Sequence, residues 1–265
     1  MNRIEALFKR KKDGVLSVYM TAGFPERDDT VRIIKALDAE GVDMIELGMP
    51  FSDPLADGEV IQHSSHEALE NGMNIQLLFE QLKDIRKQTD IPLVLMGYLN
   101  PVMAYGFPAF IDAATETGID GLILPDLPAE IYKTEYQHLV EQKGVSFSML
   151  ITPQTNEARI REIANLSKGF LYMVADSATT GTKGDISDTQ LAYFERIRKM
   201  NLEIPRMIGF GISSHETFKK ACNYANGAII GSAFIRAIQN KKGSLLEPAV
   251  NEFVGSVRGI GKARI

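Results

Sequence analysis

One cysteine, Cys222, occurs in 265 residues. That scarcity excludes an internal disulfide framework and any metal cage built from cysteine alone, and it fits a reducing, cytoplasmic setting. Basic charge is not in excess either: 29 Lys and Arg face 34 Asp and Glu, for a net charge of −5. No strongly basic face for nucleic acid is implied. A long unbroken apolar run is also missing. Residues 91–111 carry no charge, but Pro92, Asn100, Pro101, Gly106 and Pro108 interrupt them, and a membrane span needs about 20 mostly apolar residues without such breaks. Near the N-terminus Arg3 and residues 9–12 are basic, yet no apolar core follows. Ile4, Leu7 and Phe8 fall at helical spacing, which predicts a short surface helix and not a signal peptide.

What is present is a rhythm. The composition is 45% hydrophobic and 24% charged, ordinary for a globular chain. Eight short apolar runs recur, beginning at Leu16, Asp43, Pro92, Asp120, Val145, Gly169, Pro205 and Asn226. Their hydrophobicity is continuous, not alternating, as expected of parallel strands covered on both faces. Amphipathic segments such as TVRIIKALDAEG and IQLLFEQLKDIRKQ separate them, with Gly41 and Gly227 placed where helix ends favour glycine. Eight strand–helix units in one domain-length chain predict an α/β fold, a single-domain (β/α)8 TIM barrel over residues 1–265. It would carry an extra N-terminal helix and an insertion after strand 2, with a further helix around residues 60–70. An open doubly wound sheet is the alternative.

The segment IELGMPFSDPLADG, residues 45–58, interrupts an apolar strand with Glu46. A buried carboxylate is costly unless paired. If Glu46 instead faces a poorly hydrated barrel mouth, its pKa rises and it can both give and take a proton near neutral pH. Asp57 follows a loop of turn formers that could fold it back towards Glu46. The plain alternative is that Glu46 caps a layer of the barrel and Asp57 stabilises a turn. Barrel enzymes often bind phosphate with the loops after strands seven and eight. Here those loops read GFGIS, with Phe210 and Gly211, and GSA, with Gly231 and Ser232. Glycine lets backbone N–H groups approach phosphate oxygens, and a helix start adds partial positive charge. The sixth-run loop, with Thr180 and Gly181, is small, polar and long enough to close as a lid. No strand ends in lysine, which argues against a Schiff-base aldolase. His63 and His66 are three apart but lack an obvious third ligand, so no metal is expected. Tyr172 and Phe210 stand at strand ends, where they either fill core or sandwich an aromatic ligand.

With these residues in view, the chain resembles the tryptophan synthase alpha chain family. The resemblance runs unbroken over residues 45–58 and continues through LMGYLNPVMAYG, LPDLPAE, TTG, GFGIS and IIGSA, so it spans essentially the whole chain in order. It implies a carbon–carbon lyase that cleaves indole-3-glycerol phosphate to indole and D-glyceraldehyde 3-phosphate. By that resemblance Glu46 is the acid–base group and Asp57 stabilises charge at the indole N–H. Gly181, Gly211, Gly231 and Ser232 would hold the phosphate, Tyr172 and Tyr98 would line the indole site, and Thr180 would help the lid close over Asp57. It implies no cofactor in this chain. Pyridoxal phosphate belongs to a partner beta chain in an α2β2 assembly, faced by loops near Asp53, Asn100, Asp126 and Pro128. Three positions depart from the family's usual pattern: Asp176 where arginine is common, Glu59 where proline is frequent, and Tyr19 in place of a phenylalanine near the indole site. A free-standing indole-releasing lyase, a non-catalytic binding subunit and a sugar-phosphate isomerase are the rival readings.

Overall fold

The structure is a computed structural model and describes residues 2–54, 57–175, 186–209 and 211–260. Among the described residues nine strand segments run parallel: β1 (Val15–Thr21), β2 (Met44–Gly48), β3 (Leu93–Met96), β4 (Gly121–Ile123), β5 (Ser146–Phe147), β6 (Leu150–Ile151), β7 (Leu171–Val174), β8 (Arg206–Gly209) and β9 (Gly227–Ile230). Their spatial order is β5-β4-β3-β2-β1-β9-β8-β7-β6. The two outermost segments are halves of one apolar run. Ser148 N donates to Leu122 O at 3.1 Å on one side, while Tyr172 N donates to Met149 O at 2.9 Å on the other. The run therefore serves as one stave shared by both neighbours, and the sheet closes as the expected eight-stave barrel.

All seven residues of β1 and all five of β2 are buried, which explains why the strands read as continuous apolar runs. Alternation still sorts them. Leu16, Val18 and Met20 pack outwards against the helical layer, together with Ile45 and Leu47 of β2. Val15, Tyr19, Met44, Val94, Tyr172, Met207 and Ile229 fill the barrel interior. Ser17, Tyr19 and Thr21 share the inward face of β1 with period two.

Two expectations need correction. The N-terminal helix Arg3–Arg10 is not a surface element: Ile4, Leu7 and Phe8 are 0%, 1% and 4% exposed and join the interior cluster. Phe8 meets Phe170 at 6.2 Å between ring centres. Helical spacing identified the apolar face, but the interior of the barrel covers that face. The second correction concerns Gly227, which opens β9 and does not end a helix. A Cβ there would lie 2.1 Å from Val15 O, so the strand pair β1–β9 needs glycine for close approach. Gly41 does follow the helix Thr30–Ala39, with a left-handed φ of +75°. The insertion after β2 is present and contains the helix Glu59–Glu70. Among the described residues, no helix is long and apolar enough to cross a membrane.

Candidate active site

Glu46 lies mid-strand in β2, in register with Tyr19 on β1 and Val94 on β3. Alternation turns it into the barrel, where it is 0% exposed. Ser17 Oγ donates to Glu46 Oε1 at 3.2 Å, and Oε2 has no partner. Burial dominates its titration and pushes its pKa from 4.5 up to about 8, with the Ser17 hydroxyl pulling weakly the other way. Burial thus shifts the balance at Glu46 towards the neutral acid.

The loop after β2 returns Asp57 to the same mouth. Gly58 caps the helix Glu59–Glu70, and Gln62 Nε2, in its first turn, donates to Asp57 O at 2.7 Å. Glu59 stands in that first turn, where the partial positive charge of the helix start favours an acid. Tyr98 Oη, just after β3, donates to Asp57 Oδ2 at 3.0 Å. Burial raises the Asp57 pKa while the Tyr98 hydrogen bond opposes that rise. Tyr98 thus holds one oxygen of the Asp57 side chain by a donated hydrogen bond. Tyr19, Met49, Phe51, Asp57, Met96 and Tyr98 share one cavity.

Tyr19 and Tyr172 converge on these acids from opposite flanks. Burial is the main reason their phenols stay protonated, and the charges of Glu46 and Asp57 reach both. Each lies across a glycine on the next strand: a Cβ at Gly48 would sit 2.0 Å from the Tyr19 hydroxyl, and one at Gly209 2.2 Å from that of Tyr172. Those two glycines therefore let bulky rings lie flat over the strand ends. Of the predicted partners, Asp57 and Tyr98 line one cavity with Tyr19, Glu46 lies in register beside Tyr19, and Tyr172 lies within electrostatic reach of Glu46, Asp57 and Tyr19.

The terminal turns adjoin it. Gly231 stands beside Tyr19, where its Cβ would lie 3.4 Å from the Tyr19 Cβ. Gly231 precedes the helix Ser232–Ile238, whose first N–H groups lack helical acceptors. Its φ of −113° lies outside the left-handed region. Gly211 differs, with a φ of +75° two residues beyond Gly209. Thr180, Gly181, Phe210 and Asp176 lie outside the described residues. His63 and His66 point to solvent, each beside a glutamate one turn on, at 3.7 Å and 3.2 Å; among the described residues no group of three ligands assembles for a metal.

Sequence reasoning missed Ser17 and Thr21, and noticed Tyr19 only as a departure from a pattern. The available signal was Ser-x-Tyr-x-Thr inside LSVYMTAG, polar atoms at every second position of a buried strand.

The family described as "Tryptophan synthase alpha chain" matches residues 6–259. The tryptophan synthase alpha chain of Phocaeicola vulgatus is 54% identical over 243 residues, covering 92% of this chain and 94% of that one. The Flavobacterium johnsoniae protein of the same name is 50% identical over 258 residues, covering 97% of this chain and 100% of its own. Among solved structures, a mutant alpha-subunit of tryptophan synthase from the hyperthermophile Pyrococcus furiosus superimposes with a TM-score of 0.86 at 34% identity, covering 94% of this chain and 99% of that chain. Tryptophan synthase from M. tuberculosis in an aminoacrylate-bound form gives 0.84 at 26% identity over 97% of this chain and 98% of that one. Joined to a closed barrel that holds one buried and one half-buried acid, these likenesses leave one conclusion: the chain belongs to the tryptophan synthase alpha chain family.

Proposed function

We propose that this protein is the alpha subunit of a tryptophan synthase, a cytoplasmic carbon–carbon lyase that cleaves indole-3-glycerol phosphate to indole and D-glyceraldehyde 3-phosphate. The observation that carries the reading is Glu46, fully buried with one oxygen unpartnered and its pKa near 8, in register beside Tyr19, which shares a cavity with the Tyr98-bound Asp57. Indole is a poor carbon leaving group until its C3 is protonated. Glu46 begins as the neutral acid and gives its proton to C3. The positive charge this creates spreads to the ring nitrogen, where Asp57 faces the N–H and offsets it. Glu46, now a carboxylate, takes the proton of the hydroxyl on the carbon joined to C3. The bond between the two carbons breaks, its electron pair returns to the ring, and the carbon bearing oxygen becomes the aldehyde. Protons balance, and the chain's own residues supply every step without a cofactor.

The phosphate is assigned to the N–H groups at Gly231 and Ser232, the Ser232 hydroxyl and the turn at Gly211, with Gly181 from the sixth-run loop. Tyr98, Tyr172 and Phe210 enclose the indole ring, and Thr180 closes the lid. A beta chain carrying pyridoxal phosphate would receive the indole in an α2β2 assembly. The support for that partner on this chain is an apolar rim near Asn100, Asp126 and Pro128, where Met103 and Ile131 are 47% and 43% exposed. Asp126 ties two rim loops together by accepting from Leu99 N at 2.9 Å. Incubating the pure chain with indole-3-glycerol phosphate, alone and with a beta chain from a relative, tests both points. Release of indole is expected, faster with the partner. No indole under either condition refutes the lyase, and equal rates favour a free-standing lyase.

A further inference from the structure

Ser17 is a buried hydroxyl that the proton transfers above do not use. It is 0% exposed, and its Oγ donates to Glu46 Oε1 at 3.2 Å. Tyr19 is the register partner of Glu46, whereas Ser17, two residues earlier, pairs with Met44. Ser17 therefore stands one inward step nearer the N-terminal end of the barrel than the acid it binds. It reaches Glu46 from the floor of the barrel and not from the mouth.

A buried hydroxyl proton needs an acceptor. Sealed from solvent, Ser17 finds its acceptor among the described residues in Glu46 Oε1. The reverse arrangement, with Oε1 protonated and donating to Ser17, would bury the Ser17 proton with nothing to accept it, a costly state. A neutral carboxyl has one carbonyl oxygen and one hydroxyl oxygen. Oε1, accepting from Ser17, is the carbonyl, so the acid's own proton belongs on Oε2, the oxygen that has no partner. Once that proton leaves, charge spreads over both oxygens and the bond from Ser17 becomes charge-assisted and stronger.

We propose that Ser17 is a positioning residue that holds Glu46 through Oε1 and so assigns both proton transfers to Oε2. This rests on the lyase reading above. Oε2 gives its proton to C3 of the ring and leaves a carboxylate that Ser17 stabilises at Oε1. Oε2 then takes the proton of the hydroxyl on the carbon joined to C3, and the neutral acid is restored. One oxygen can serve both steps because C3 and that hydroxyl are on bonded carbons. The titratable groups that feel Glu46 are Tyr19 from β1 and Tyr172 from β7, both kept protonated chiefly by burial, and the charge of Asp57 reaches the same two phenols. Apolar Val94 pairs with it from β3. Against burial, Ser17 is the group that pulls the titration of Glu46 down.

The test is Ser17→Ala in the full chain, read in two ways. Infrared spectra at about pH 6, below the Glu46 pKa, isolate the Glu46 carbonyl stretch as the difference between chains with and without Glu46→Gln. Removing the donor to Oε1 is expected to move that stretch to higher frequency. In cleavage of indole-3-glycerol phosphate, kcat should fall about tenfold with KM within about twofold, because the lost bond strengthens only as Glu46 ionises. The alkaline limb of the kcat profile, which reports Glu46 in the substrate complex, should move to higher pH. A hydroxyl that merely filled space would leave both the stretch and the limb in place. Either one unmoved overturns the proposal, as does a wild-type spectrum with no Glu46 carbonyl stretch. A wild-type chain that releases no indole refutes the lyase, while the infrared shift still decides which oxygen holds the proton. An active wild type whose limb and stretch ignore Ser17→Ala refutes this inference alone.

Discussion

The two ends of the barrel each bury a carboxylate, and they treat it in opposite ways. At the N-terminal end Asp120 is 3% exposed and saturated: Arg86 Nη2 donates to it at 2.7 Å, Leu93 N at 3.0 Å and Arg3 Nη1 at 3.3 Å. Asn2 closes the same corner by donating to Asp120 O at 3.0 Å and to Ser146 Oγ at 2.7 Å. At the C-terminal end Glu46 is 0% exposed, has one hydroxyl partner at 3.2 Å, and keeps an oxygen with none. Buried polar groups normally find partners. One end satisfies its buried acid fully, and the other leaves an oxygen of its acid without a partner.

The sharpest way to test that contrast is to remove the ionisable proton at the upper end. Glu46→Gln is expected to lower turnover by about 10²–10⁴-fold while the chain stays folded. Turnover within a tenth of wild type would remove Glu46 from the chemistry. Asp57→Asn should depress turnover more than substrate binding, and an unchanged rate would reduce Asp57 to a turn residue.

The lower end should answer in stability instead. Asp120→Asn leaves the Arg86 guanidinium facing a neutral amide, and breaking a buried ion pair typically costs about 3–5 kcal/mol. Denaturant unfolding reads the loss. Turnover per folded molecule should stay at the wild-type level, and a fall in turnover without a fall in stability would erase the distinction between the ends.

The smallest expected effect is a pH dependence. Glu46 has a folded pKa near 8 against an ordinary 4.5. A raised pKa gives stability that is complete below the unfolded value and is lost as pH rises through the folded one. Between pH 6.5 and pH 9 the wild type should lose roughly 2 kcal/mol more than Glu46→Gln. Thermal melts at the two pH values measure the difference. Parallel curves would mean that Glu46 is not the titrating group.

The lower half of this comparison was nearly invisible in the sequence, and the upper half was not. Glu46 stood out because a lone acid in an apolar strand has no local explanation, and Asp57 because turn formers bend the chain back within a dozen residues. The staves showed themselves through two-sided burial. Asp120 opens one of the apolar runs and reads as a strand-start acid, and its partners Arg3 and Arg86 lie 117 and 34 residues away. Pattern reasoning has no term for such meetings. The same distance hides Thr21 from Ser64, 43 residues apart. Gly227 misled because a glycine after an amphipathic segment looks alike whether it ends a helix or makes room for Val15 O, and only the β1–β9 pairing separates the two.

The plug at the bottom has a consequence for how the chain is made. Asn2 and Arg3 leave the ribosome well before their sockets on Asp120 and Ser146, which come 117 to 144 residues later. At about 5–20 residues per second, this helix must wait roughly six to thirty seconds before its seat exists. During synthesis, therefore, the apolar face of Ile4, Leu7 and Phe8 is an early arrival that must be kept from sticking elsewhere, and the basic residues that follow it help to keep that nascent segment in water.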